Sequence, residues 1–166
     1  MSSYTLPYFE PLESTNLEPY YDVDIEFNGR QIQIDLNFDE KEIDASRLDT
    51  VKRFIENIQK FDEQNKTYFL DDYNDEEGDT VKFYLEEFWA EIDQEQFSEA
   101  TGFEAGDDEP ERRLLEKLHL VRVGLYPDND DVFAIFDYSI GTDFTNYLIV
   151  INTDEKGEMD YMTMES

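Results

Sequence analysis

Tyr21-Asp22-Val23-Asp24-Ile25-Glu26-Phe27-Asn28-Gly29-Arg30-Gln31-Ile32-Gln33-Ile34-Asp35-Leu36-Asn37-Phe38 is the stretch from which the fold can be read outward. Apolar and polar residues alternate on both sides of Asn28-Gly29, and an Asn-Gly pair between alternating runs marks a two-residue type I′ β-hairpin. That loop length sets Phe27 opposite Arg30, Ile25 opposite Ile32 and Val23 opposite Ile34, giving one apolar face. The same register opposes Asp22 and Asp35. Like charges directly across a ladder repel, so this outer face is expected to be well solvated or neutralised by a partner.

Before the hairpin, residues 1–19 carry Pro7, Pro11 and Pro19 with Tyr4, Tyr8 and Phe9 and show no period. They read as an extended arm packed through its aromatics, with residues 20–166 forming a single α+β domain. After the hairpin the period changes. Leu48, Val51, Phe54, Ile55, Ile58 and Phe61 make a 3.6-residue stripe, so one helix is expected there, capped by Asp44 or Ser46. A weaker helix is expected over 62–73, through Tyr68, Phe69, Leu70 and Tyr73. Asp79 then caps a third, with Val81, Leu85, Phe88, Trp89 and Ile92 inward and Phe83 off the stripe. Gly102–Glu109 reads as a surface loop, and Pro110 opens a short helix over Glu111–Lys117.

The last third reads as a four-stranded antiparallel meander: Leu118–Tyr126, Asp131–Ile140, Phe144–Asn152 and Met159–Glu165. Its turns are Pro127-Asp128-Asn129-Asp130, Gly141-Thr142-Asp143 and Asp154-Glu155-Lys156-Gly157. Two strands, about three helices and four strands in separate blocks predict an α+β fold, with the helices on one face of an antiparallel sheet.

Composition narrows the chemistry. The 166 residues hold 43 acids against 13 Lys and Arg, a formal charge of −30, and the mean hydropathy is −0.71. Such a balance favours disorder, but 13 Phe, 11 Tyr and the clean periods favour a folded chain. No cysteine is present, which removes disulfides, thiolate metal sites and Cys nucleophiles and suits a reducing compartment. Neither a signal segment nor an apolar run of membrane length is visible. The expectation is a cytoplasmic protein that avoids nucleic-acid phosphate and anionic membranes and attracts basic proteins or, diffusely and weakly, divalent cations.

The charge is clustered. Between Thr67 and Glu111, 17 acids face one base, Lys82, for a net −16 in 45 residues. Solubility needs far less than this, so a docking surface for a basic partner is expected. Its candidate residues are Asp71, Asp72, Asp75, Glu76, Glu77, Asp79, Phe83, Glu86, Glu87 and Glu91, with Phe83 the exposed apolar hot spot. The bland counterpart is a solvated face.

No catalytic, cofactor or metal residues stand out. His119, the only histidine, lies at a strand start with Val121 and Val123 and reads as structural. Neither Asp71–Gly78 nor Asp128–Asp131 has EF-hand spacing. Asp128 with Asp154-Glu155-Lys156 mimics a nuclease signature, but those residues sit in turns and a −30 chain would repel its substrate. Gly-x-Ser-x-Gly elbows and phosphate-cradling Gly loops are absent.

Phe136-Asp137-Tyr138-Ser139-Ile140, Asn146-Tyr147-Leu148-Ile149-Val150, Asp154 with Gly157, and Met164-Glu165-Ser166 resemble a bacterial family of uncharacterised small acidic α+β domains. The resemblance covers Tyr20 to the end. It implies no activity, but small acidic bacterial proteins of this look often act as immunity proteins against basic toxins. The leading expectation is therefore a non-enzymatic immunity-type inhibitor of a basic toxin or nuclease. A DNA-mimic inhibitor and a housekeeping domain solubilised by its charge are the alternatives.

Overall fold

The computed structural model describes residues 3–101, 114–129, 131–142 and 144–165. It is an α+β fold. The hairpin strands are β3 (Tyr20–Phe27) and β4 (Arg30–Asn37), paired with Phe27 opposite Arg30, Ile25 opposite Ile32 and Asp22 opposite Asp35. Asn28 and Gly29 take φ of 51° and 80°, as the type I′ turn requires. The meander follows as β5 (His119–Leu125), β6 (Ala134–Ser139), β7 (Leu148–Thr153) and β8 (Met159–Glu165), each strand antiparallel to the next.

The sheet departs from the wholly antiparallel expectation at one junction. All six strands join in the order β3-β4-β5-β6-β7-β8, and β4 pairs with β5 in parallel. A parallel neighbour needs a crossover, and the helical block supplies it. The sequence pattern marked the two antiparallel units but not the sense of their junction.

The helices also divide differently. α1 spans Ala45–Glu56 and α2 spans Ile58–Asn74, so Ile58 and Phe61 belong to the second helix instead of the first. Asn57 makes the break: its side-chain amide donates to the Arg53 carbonyl at 2.7 Å, competing locally with the helix ladder. α3 covers Thr80–Glu91. A further helix, α4 (Gln94–Thr101), had not been expected; Asp93 starts it by accepting from the Gln96 N–H at 3.1 Å. Residues 114–116 form a helical turn. Lys117 closes that turn by donating to the Leu114 carbonyl at 2.9 Å; residues 111–113 of the helix expected over Glu111–Lys117, Pro110, the Gly102–Glu109 loop, Asp130, Asp143 and Ser166 lie outside the described residues.

Ring contacts bind the helices to one sheet face. Phe54 of α1 meets Phe133 and Phe136, Phe69 of α2 meets Tyr138, and Phe97 of α4 lies between Phe88 and Phe144. Ile34, Leu36, Val123, Phe136, Ile149 and Ile151 are among the sheet residues of this core. Residues 3–19, expected as an extended arm, fold back as a two-stranded ribbon, β1 (Ser3–Tyr4) against β2 (Leu12–Glu13). Leu6, Leu12 and Leu17 bury it, while Tyr8 is exposed and the Tyr4 hydroxyl donates to Asp49 of α1.

Candidate functional site

As far as Thr101 the acidic segment runs through the end of α2, α3 and α4, with α2 and α3 packed as a helical hairpin. From Thr67 to Glu99 it holds twelve carboxylates and one base, Lys82, and the Lys82 ammonium donates to the Asp75 carbonyl at 3.2 Å. Of the candidate residues, Asp71, Asp75, Glu76, Glu77, Asp79, Phe83, Glu86 and Glu91 are exposed, and Glu87 is half-exposed. Along α3 the exposed stripe runs Asp79, Phe83, Glu86, Ala90, at helical spacing. Phe83, 50% exposed, thus sits on a helix face with Asp79 before it and Glu86 and Glu87 after it. Leu70, at the matching end of α2, is 49% exposed. An exposed aromatic bordered by charge is a side chain that can anchor an interface, whereas leucine is under-represented among such anchors.

Three of the candidate acids have structural duties. Asp72 accepts from the Val81 N–H at 2.9 Å, so α2 caps α3; Asp79 holds the N-cap position but makes no side-chain cap bond. Asp75 folds the intervening turn by accepting from the Glu77 N–H at 3.0 Å. Glu91 accepts from the Tyr147 hydroxyl at 2.8 Å and fixes α3 to the residue just before β7; that bond and partial desolvation raise the tyrosine's pKa. Trp89 is half-buried against the core.

The outer face of the sheet holds a second charged group. Asp35 is not solvated there, and the countercharge expected from a partner comes from within the chain. Its side chain is 0% exposed, and Arg122 on β5 binds it through Nε–Oδ2 at 2.6 Å and Nη2–Oδ1 at 2.9 Å. Nη1 donates to Asp137 of β6 at 3.1 Å, and the Asn37 amide donates to Asp35 at 2.7 Å. Gly124 makes room: a Cβ there would stand 2.6 Å from Nη2 and 3.2 Å from Asp35 Oδ1. Desolvation works against the guanidinium charge, but the bonds to Asp35 outweigh it and hold its pKa up. At Asp137 burial wins over the attraction of Arg122 and pushes the carboxyl up.

On the helical face, Tyr138 donates to buried Asp62 at 2.7 Å and accepts from the Asn65 amide at 3.2 Å. His119 is half-buried, with Nδ1 2.9 Å from the Lys117 carbonyl oxygen; desolvation lowers its pKa.

The nuclease-like residues do meet, in an open groove of 1230 Å³ at one end of the sheet. Their carboxylates are committed elsewhere. Asp128 accepts from the Asp39 and Glu40 N–H groups, Asp154 from those of Lys156 and Glu158, and Glu155 pairs with Arg47 at 2.7 Å. Among the described residues no group of three or more His, Asp or Glu is placed to hold a metal ion, and no helix is long and apolar enough to cross a membrane. Compared with known family models, curated proteins and solved structures, the chain matches none.

Proposed function

We propose that this is a non-enzymatic binding protein, an immunity-type inhibitor that neutralises a basic toxin or nuclease through the α2–α3 surface. One observation carries the proposal: exposed Phe83 stands on a helix face among Asp79, Glu86 and Glu87, in a segment with a single base. A nucleic-acid-cleaving enzyme presents a cationic cleft to its substrate. An acidic helical hairpin with an apolar anchor complements such a cleft: the carboxylates steer the encounter and Phe83 holds the bound state. The partner is thus a basic protein, with no direct nucleic-acid or membrane contact, and the cysteine-free composition suits a cytoplasmic setting.

Stopped-flow association with a panel of purified basic nucleases tests this. Changing Asp75→Asn, Glu76→Gln, Glu77→Gln and Glu87→Gln together is expected to slow association about tenfold at low salt and to flatten its salt dependence. Phe83→Ala should speed dissociation with association unchanged. A partner that binds both variants as it binds the parent does not use this surface.

A further inference from the structure

Strand β3 ends the sheet, so among the described residues one of its edges carries no neighbouring strand. On its inner side Tyr21, Val23, Ile25 and Phe27 stay half-exposed, although their cross-strand neighbours Ile32, Ile34 and Leu36 are buried. At the opposite edge α3 packs on β8; among the described residues no helix packs comparably on β3. The hairpin register fixes which main-chain groups the edge offers. In a two-residue hairpin Phe27 and Arg30 are the hydrogen-bonded pair, so Ile25 and Val23 also face β4. Asp22, Asp24 and Glu26 therefore turn their N–H and C=O groups to the open edge, and their carboxylates lie exposed on the outer face.

An edge of eight residues with half-exposed apolar side chains is a template for another strand. Its carboxylates decide which strand. A second copy of β3 would set Asp and Glu against Asp and Glu, which opposes self-pairing. We infer that β3 is a strand-addition site for an extended segment of a basic partner, one in which Lys or Arg alternates with apolar residues. In that arrangement the partner's apolar side chains extend the Val23-Ile25-Phe27 strip, its cations face Asp22, Asp24 and Glu26, and the backbones complete the ladder. The site lies at the edge opposite α3 and does not depend on the α2–α3 surface.

The test uses the full chain and two synthetic peptides of identical composition: one alternates Lys with Val, the other carries the same residues in two blocks. Fluorescence anisotropy is expected to give the alternating peptide at least about tenfold tighter binding, with amide exchange slowed at Asp22, Asp24 and Glu26. Asp24→Pro deletes one edge-facing N–H and spares the β3–β4 ladder; it should weaken binding about tenfold, against about two- to threefold for Asp24→Asn. Equal binding of the two peptides, or exchange protection on α2 and α3 in place of β3, overturns the inference. If Asp24→Pro does not fold, the exchange pattern of the parent chain decides.

Discussion

Replacing Arg122 by methionine keeps an aliphatic stem over Gly124 but deletes all three donors to Asp35 and Asp137. Asp35, fully buried, is left with the Asn37 amide at 2.7 Å and no countercharge. Stranding one member of a buried ion pair costs about 3–5 kcal/mol. The Arg122 side chain is 31% exposed, so water can enter where the guanidinium lay, which places the loss near the lower figure, about 3 kcal/mol. For a chain of this size that corresponds to a fall in Tm of about 6–12 °C. Urea unfolding of Arg122→Met, Asp35→Asn and the double variant measures it. The double variant no longer buries a stranded charge at Asp35, and we predict that it is at least about 1 kcal/mol more stable than Arg122→Met alone. High salt should not rescue Arg122→Met, because screening reaches buried charge poorly. A loss below about 1 kcal/mol, or a double variant weaker than the single, would refute the view that Arg122 neutralises Asp35.

Other perturbations probe separate parts of the molecule. The Asp137 carboxyl is raised above its ordinary value, so protonation favours the folded state, and this contribution fades as pH rises from the usual carboxylate range through the elevated value. Asp137→Asn mimics the protonated form and is expected to raise Tm at neutral pH, with the gain vanishing below about pH 4 in pH-resolved thermal scans. Tyr138→Phe strips Asp62 of a donor and Asn65 of an acceptor inside the core and should cost about 2 kcal/mol in urea, against less than about 0.5 for exposed control positions. Gly157 and Gly29 have φ of 79° and 80°, but a Cβ at Gly157 would stand 2.3 Å from Phe61 while Gly29 faces open space. Gly29→Ala should therefore cost only the conformational term, about 1 kcal/mol, and Gly157→Ala clearly more, by the same measurement.

The hairpin and the meander were legible because their signals are local: a period of two and a turn whose chemistry fixes the register. What escaped the sequence depended on distant residues. Opposing Asp22 to Asp35 suggested a solvated outer face, but Arg122, 87 residues away, buries one of the two. A signal was present in Gly124, an unexplained glycine in an apolar strand two residues after an arginine, since strand glycines often mark a close approach. The 3.6-residue stripe runs through Asn57 unbroken, so the helix boundary was visible only as an Asn able to bond backward. For α4, Asp93 with Gln96 three residues on is a capping-box pattern before Phe97. At the candidate surface the charge cluster and the off-stripe position of Phe83 were readable. Capping by Asp72 was not, because the donor at Val81 belongs to a helix whose placement only the fold supplies.

The parallel β4–β5 junction is, among the described residues, the one ladder that joins the two halves of the sheet. Hairpin and meander can each form from neighbours in the chain, whereas this seam closes only after a long helical excursion, an entropically slow event. A one-residue slip there would turn Asp35 toward the core face, and a two-residue slip would part it from Arg122 and from the space over Gly124. The ion pair thus works as a key for assembly: it penalises misaligned closure with a buried, unmatched charge. The solvent-facing positions of the excursion that carries the acidic surface are then free to vary in sequence, provided that its core residues keep packing on the sheet and return β5 in step with β4.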